Sequence, residues 1–174
     1  MEDPEFLLAV CATEPLAGSD NLLPYDAPGG GMQMYAEKKG DKWILNGTKR
    51  YISNGGLAKM YYFLARTDRD GPLSTSLTGF LVPADAPGFT VPEIWDKMGQ
   101  RASDTCVIHF DNVRLPASQR LGAEGEGFKI AMETLDRTRP LIGALATGIA
   151  RRALEESLAY AAERKAFGQP IGEF

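Results

Sequence analysis

Lys42-Trp43-Ile44-Leu45-Asn46-Gly47-Thr48-Lys49-Arg50-Tyr51-Ile52-Ser53 decides the fold class. Two β-type runs flank Asn-Gly, the dipeptide that most readily takes the positive φ of a two-residue turn, so the stretch reads as a hairpin. The same turn accounts for Asn46-Gly47-Thr48, whose match to a glycosylation sequon is treated as accidental. Working outward, Asn54-Gly55-Gly56 marks a second turn, and Met60–Arg66, rich in aromatic residues, reads as a buried strand. Leu77–Pro83 and Thr105–Phe110 add two more, with Gly79 signalling a bulge or a close contact. From Leu7 to about Pro116 the pattern is short strands between Gly, Pro, Asn and Asp. That argues for a mainly β domain, an antiparallel barrel or sandwich. Within it, Asn21 to Met34 must be a loop, because it holds Pro24, Pro28 and Gly29-Gly30-Gly31.

After Gly127 the period changes. Phe128, Met132, Leu135, Leu141, Leu145, Ile149, Ala153 and Leu158 fall on one helical face. A single helix from Phe128 to Arg164 would be roughly 55 Å long at about 1.5 Å per residue. Pro140 predicts a bend in it. Leu141-Ile142-Gly143-Ala144-Leu145-Ala146 is apolar nearly all round, as in a helix inside a bundle, so this flank should lie exposed or be covered by another copy. The expected organisation is a β domain over residues 1–120 and the start of a helical domain over 121–174.

The 174 residues carry a net charge of −4, which leaves no broad cationic surface for nucleic acid. No apolar run approaches the roughly 20 residues of a membrane span, and Met1-Glu2-Asp3-Pro4 lacks the features of a secretory signal. A soluble, cytoplasmic protein is expected. Cys11 and Cys106 stand outside any CxxC or metal-ligand pattern and read as buried apolar fillers, so no metal site is expected. His109 lacks a partner pattern and reads as a structural or surface residue.

Three blocks carry more specific information: Cys11-Ala12-Thr13-Glu14-Pro15-Leu16-Ala17-Gly18-Ser19-Asp20, Tyr51-Ile52-Ser53-Asn54-Gly55-Gly56, and Met98-Gly99-Gln100-Arg101-Ala102-Ser103-Asp104-Thr105. In order and spacing they resemble the middle of the acyl-CoA dehydrogenases, flavoenzymes that desaturate acyl thioesters, and the resemblance runs from about Leu7 to Phe174. It implies bound FAD, an acyl-CoA substrate, an electron acceptor such as an electron-transfer flavoprotein, and a homo-oligomer that is tetrameric at full length. It implies a mitochondrial matrix location if the source is eukaryotic. It also implies that the chain is the centre of a longer enzyme. The chain departs from the family in three ways. The stretch after Asp20 is about eight residues longer than usual, Tyr51 and Ser53 stand where Trp and Thr are common, and Ala166 replaces a hydroxyl residue.

A flavin needs flat contacts for its ring and hydrogen-bond donors at N5 and the pyrimidine edge. The resemblance assigns cofactor contacts to Val10, Ala12, Thr13, Ser19, Tyr51, Ile52, Ser53, Arg164 and Phe167. Arg164 would lie near the diphosphate of a neighbouring subunit's FAD, with Phe167 packed on that cofactor. Substrate contacts fall to Ser19, Asp136 and Arg139. The plainer alternatives are turn hydroxyls for Thr13 and Ser53, an intrahelical ion pair for Asp136 and Arg139, and helix capping by Gly168 after Arg164-Lys165. Desaturation also requires a carboxylate base. In most members it lies on the later helical domain, and in a minority at the position of Thr138. Glu133 and Asp136 lie nearby but match neither motif. No catalytic residue is therefore assigned, the base is expected beyond Phe174, and the fragment alone is expected to be inactive. The same scaffold also serves flavin monooxygenases and acyl-CoA oxidases, and a non-catalytic β-barrel binding or assembly module remains the alternative of another class.

Overall fold

The structure, a computed structural model, describes residues 5–21 and 30–174. Pro24, Pro28 and Gly29 of the long loop lie outside the described residues. The chain divides into two compact units, Met1–Ala131 and Met132–Phe174.

The first unit is a sheet system in which chain order and spatial order differ. Its strands are β1 (Leu8–Cys11), β2 (Tyr35–Lys39), β3 (Lys42–Ser53), β4 (Met60–Arg66), β5 (Leu77–Pro83), β6 (Phe89–Ile94), β7 (Thr105–Pro116) and β8 (Arg120–Leu121), with the four-residue helix α1 (Leu73–Ser76) before β5. They run β6-β7-β3-β2-β4-β5-β8, and β1 pairs with β4. Most pairs are antiparallel; β1 lies parallel to β4, Leu8 opposite Met60 and Cys11 opposite Phe63. The expected mainly β architecture followed by one long helix is what the chain forms.

The hairpin expected at Asn46-Gly47 is not there. β3 runs straight through it for 12 residues, and the two-residue turn is Gly40-Asp41, between Lys39 and Lys42, with Gly40 at φ 62°. Asn46-Gly47 instead sits where β3 and β7 slip by one residue: Leu45 faces Val113 but Gly47 faces Phe110. The extra residue is on β7, at Asn112 (φ 52°), whose N–H donates to Asn46 Oδ1 at 2.8 Å. Turn propensity was thus used for a bulge, which needs the same conformational freedom inside a ladder. Gly79 sits in unbroken register opposite Leu64. Its missing side chain makes room for the ring of Tyr62, 2.7 Å from where a Cβ would stand.

Burial follows from these pairings. Every residue of β4 after Met60 is buried, as the sequence suggested, because both its faces are covered: Tyr61, Phe63 and Ala65 lie in the core, while on the other face Tyr62 lies over Gly79 and Leu64 against Gly127. Aromatic rings fill that core, with Trp43 against Phe80, Phe63 against Phe110 and Tyr61 against Phe89 at centroid distances of 5.3, 4.6 and 4.5 Å. Cys11 and Cys106 are both free and fully buried. Arg66 is also buried and joins β4 to two other segments: Nε donates to the Met32 carbonyl at 2.6 Å, and the two terminal nitrogens to Gly30 and Gly71 at 2.9 and 3.0 Å.

The long helix α2 (Gly127–Glu163) has the expected extent and includes Pro140. Its first residue lies against β5, where a Cβ would be 2.8 Å from the Leu77 carbonyl oxygen. In the second unit Leu141, Ile142, Leu145 and Ile149 are exposed, as expected of this flank. Ion pairs Arg151–Glu155 and Arg152–Glu156 line the polar side. After the helix, β9 (Lys165–Ala166) and β10 (Gln169–Pro170) form a hairpin. Phe167 and Gly168 are its two turn residues, at φ 52° and 87°. Gly168 therefore closes this turn and does not cap the helix. Among the described residues no helix is long and apolar enough to cross a membrane, and no cluster of His, Cys, Asp and Glu could hold a metal ion.

Candidate functional site

Strand alternation at the end of β1 buries Ala9 and Cys11 and turns Val10 outward, 55% exposed. Beyond Cys11 the chain runs beside β3: the Thr13 carbonyl accepts the Arg50 N–H at 2.8 Å. At that point β3 carries its own irregularity, since Lys49 faces Ile108 and Ile52 faces Cys106. Three residues of β3 thus span two of β7, and Tyr51 absorbs the extra one at φ 60°. Alternation alone would turn Tyr51 inward after Trp43, Leu45 and Lys49. The bulge reverses it, leaving Tyr51 58% exposed and Ile52 in the core. Bulges commonly re-aim a side chain in this way. The Tyr51 ring packs 4.8 Å from Trp95, and the Arg50 guanidinium lies over both rings at 5.2 and 5.3 Å. Ile52 can offer only its main chain to a ligand, whereas Ser53 is exposed.

The remaining sequence-assigned positions fall elsewhere. Ser19 is exposed on the turn from Gly18 to Asn21, held by Asp20 Oδ1 accepting the Gly18 N–H at 2.9 Å. Asp136, Arg139 and Arg164 are exposed in the second unit. There Phe167 is 97% exposed, in edge contact with Phe174 at 6.1 Å.

The third sequence block acts as a support for the turn after β3. Asp104 Oδ2 accepts the Gly56 N–H at 2.8 Å and the Ser103 hydroxyl donates to Asn54 Oδ1 at 2.8 Å. Tyr61 donates its hydroxyl to the Gly55 carbonyl at 2.7 Å. A side chain at Gly55 would overlap Cys106 Sγ. Arg101 is occupied locally, by Asp96 at 2.5 Å and the Lys97 carbonyl at 2.6 Å. His109 is a surface residue bonded to the Thr48 hydroxyl at 2.8 Å.

Sequence reasoning missed a buried ion pair. Lys49 is wholly buried, its Nζ 2.8 Å from Glu14 Oε1 and 3.0 Å from the Ala12 carbonyl. The Glu14 carboxylate also accepts the Gln33 and Met34 N–H groups, at 2.8 and 3.1 Å. Burial lowers the Lys49 pKa, while the charge of Glu14 and its hydrogen bond oppose that shift. The available signal was parity. Read as one strand from Trp43, this stretch puts Lys49 on the inward face with Leu45; read as a hairpin, it does not. Beside Glu14 a cleft of about 410 Å³ opens between Leu16, Met34, Tyr35, Ile44, Thr48 and Arg69. Neither Thr13 nor Ser53 is among its lining residues.

Residues 9–113 match the family model described as acyl-CoA dehydrogenase, middle domain, and residues 125–174 the model for the acyl-CoA dehydrogenase C-terminal domain. The chain belongs to the acyl-CoA dehydrogenase family. It is 43% identical over 167 residues to the "Probable medium-chain specific acyl-CoA dehydrogenase 2, mitochondrial" of Caenorhabditis briggsae, covering 95% of this chain and 39% of that one. It is 42% identical over 167 residues to the cyclohexane-1-carbonyl-CoA dehydrogenase of Geobacter metallireducens, covering 96% and 41%. The solved butyryl-CoA dehydrogenase of Megasphaera elsdenii superposes with a TM-score of 0.85 at 41% identity, over 97% of this chain and 42% of that one. The chain thus spans about two fifths of the length of the curated relatives it matches. Members of this family are flavoprotein oxidoreductases of fatty acid metabolism.

Proposed function

We propose that this chain forms one wall of the flavin site, and the helix that contacts CoA, in an FAD-dependent acyl-CoA dehydrogenase that introduces an α,β double bond into an acyl-CoA thioester. The observation that carries this reading is the Thr13–Arg50 hydrogen bond beside the β3 bulge. It sets the loop that bears Thr13 against the backbone that turns Tyr51 outward. An exposed apolar side chain at Val10, an exposed aromatic ring at Tyr51 and hydroxyls at Thr13 and Ser53 are the donor and contact types a planar, polar-edged heterocycle requires.

Bound FAD would supply the acceptor for the hydride that leaves Cβ of the acyl chain, and the Cα proton would pass to a carboxylate base, a role assigned to none of this chain's residues. This chain's part is to hold and orient. Thr13 would donate its hydroxyl and amide to the polar edge of the ring, Ser53 would add a second hydroxyl donor, and Val10, Ala12, Tyr51 and the Ile52 main chain would form the wall. Ser19 meets the cofactor rim and the pantetheine arm, and Asp136 and Arg139 meet CoA. Arg164 offers a guanidinium fork to the FAD diphosphate of a neighbouring subunit, a geometry that suits phosphate, and Phe167 packs on that cofactor. A homo-oligomer and an electron-transfer flavoprotein as acceptor complete the proposal.

The test uses the full-length protein. Anaerobic addition of acyl-CoA should bleach its visible flavin bands, and admitted air should restore them slowly. Fast reoxidation would assign an acyl-CoA oxidase instead. A full-length protein without a flavin spectrum would leave a binding or assembly module.

A further inference from the structure

We propose that Lys49 is a positioning residue for the flavin: by clamping the Ala12 carbonyl and the Glu14 carboxylate together, it fixes the backbone on either side of Thr13. The inference rests on the flavin reading above and adds a residue that no ligand contact would reveal. Three observations carry it. Lys49 Nζ reaches both flanks of Thr13, at 3.0 Å to Ala12 O and 2.8 Å to Glu14 Oε1, while the carbonyl of Thr13 itself is held by the Arg50 N–H at 2.8 Å. Three consecutive residues of the loop are thus tied to two consecutive residues of β3. The ammonium has no solvent exposure and lies over the Phe63 ring at 5.0 Å, so its position is set by the aromatic core. Glu14 extends the clamp to the far side of the long loop through the Gln33 and Met34 N–H groups.

A surface ion pair in this place would contribute little stability, and a fully buried one is no better on that count, because desolvation offsets the attraction between the charges. What it does supply is directional constraint. An ammonium with three donors at fixed sites pins a carbonyl and a carboxylate to one geometry. A hydrogen-bond donor aimed at a ligand is only as well placed as the backbone beneath it.

The test compares full-length proteins. In Glu14→Gln/Lys49→Met both charges are gone and the slot keeps its volume, so the fold should survive, but the Ala12 carbonyl loses its donor. The control, Glu124→Gln, removes a carboxylate from the exposed Lys38–Glu124 pair and leaves the clamp intact. The double variant should bind FAD about tenfold or more weakly, the size of loss typical when a supporting group that orients a ligand contact is removed, and its visible flavin bands should shift. Glu124→Gln should keep the wild-type band positions. A double variant that melts like wild type and shows unchanged FAD affinity and unchanged bands would overturn the proposal. Loss of folding in the double variant would overturn it too, because the pair would then be structural alone. A wild-type full-length protein that binds no FAD refutes the flavin reading before any variant is made, so the two failures are separable.

Discussion

Replacing Arg66 by Met keeps most of the aliphatic stem and removes three hydrogen bonds. The donors go to Met32, Gly30 and Gly71 at 2.6, 2.9 and 3.0 Å. The three losses are unequal. Met32 has no exposure, so its carbonyl would be left without water or protein donor, a penalty of about 1–3 kcal/mol. Gly30 and Gly71 are partly exposed, and water replaces the lost donor there for a net loss of about 0.5 kcal/mol each. Relief from holding a buried guanidinium offsets part of this. The expected sum is a destabilisation of about 2–3 kcal/mol, or roughly 4–12 °C in melting temperature for a domain of this size. Arg66→Lys can satisfy the Met32 carbonyl alone and should recover about half of the loss. Urea unfolding followed by the fluorescence of buried Trp43 reads both variants. A loss below about 0.5 kcal/mol for Arg66→Met, or no recovery with Lys, would refute the premise that this guanidinium fastens the far end of the long loop and the segment at Gly71 to β4.

Two further outcomes follow from close contacts and from burial. Gly127→Ala improves intrinsic helix propensity by about 1 kcal/mol, yet its Cβ would lie 2.8 Å from the Leu77 carbonyl oxygen and 2.9 Å from Leu64 Cδ2; the net effect should be a loss of about 1–3 kcal/mol, and a raised melting temperature would contradict it. Burial pushes the Cys11 thiol up to about 12 and the Cys106 thiol up to about 11, from ordinary values of 9.0. A raised thiol pKa favours the neutral form, so at pH 9 roughly one Cys11 in a thousand is the reactive thiolate in the folded protein, against about half in an unfolded chain. Iodoacetamide labelling read by mass spectrometry at pH 9 should therefore be negligible without urea and rapid with it; equal labelling in both would show that the thiols are accessible.

What the sequence made legible was whatever depends on a single period. Met60–Arg66 and Leu77–Pro83 form the strands that their apolar runs suggested, and α2 starts and stops within one residue of its periodic face. β7 continues to Pro116, well past Phe110, because its outer half pairs with the first residues of β3, a partnership invisible to a local window. Asn46-Gly47 and Gly168 were misread for one shared reason: positive φ is needed by turns, caps and bulges alike, and only the partner strand decides among them. The exposed flank at Leu141 to Ile149 was legible because Thr147 is the one polar residue in it. The candidate site was half legible. The blocks bearing Thr13 and Tyr51 stood out, but the Lys49–Glu14 pair that joins them did not, since a charged residue in a strand looks solvent-facing until the parity of that strand is known.

The bulge at Arg50-Tyr51 limits how relatives of this chain can differ in length. One residue deleted between Lys49 and Ile52 would restore strict alternation, leaving Lys49 and Ile52 inward with a single outward residue between them, so that Arg50 and the Tyr51 ring could no longer both be presented beside Trp95. Side chains can be exchanged at those two positions while the residue count must stay fixed. Gaps and insertions belong instead after Asn21, in a loop whose far shore Arg66 ties to β4 through Gly30 and Met32.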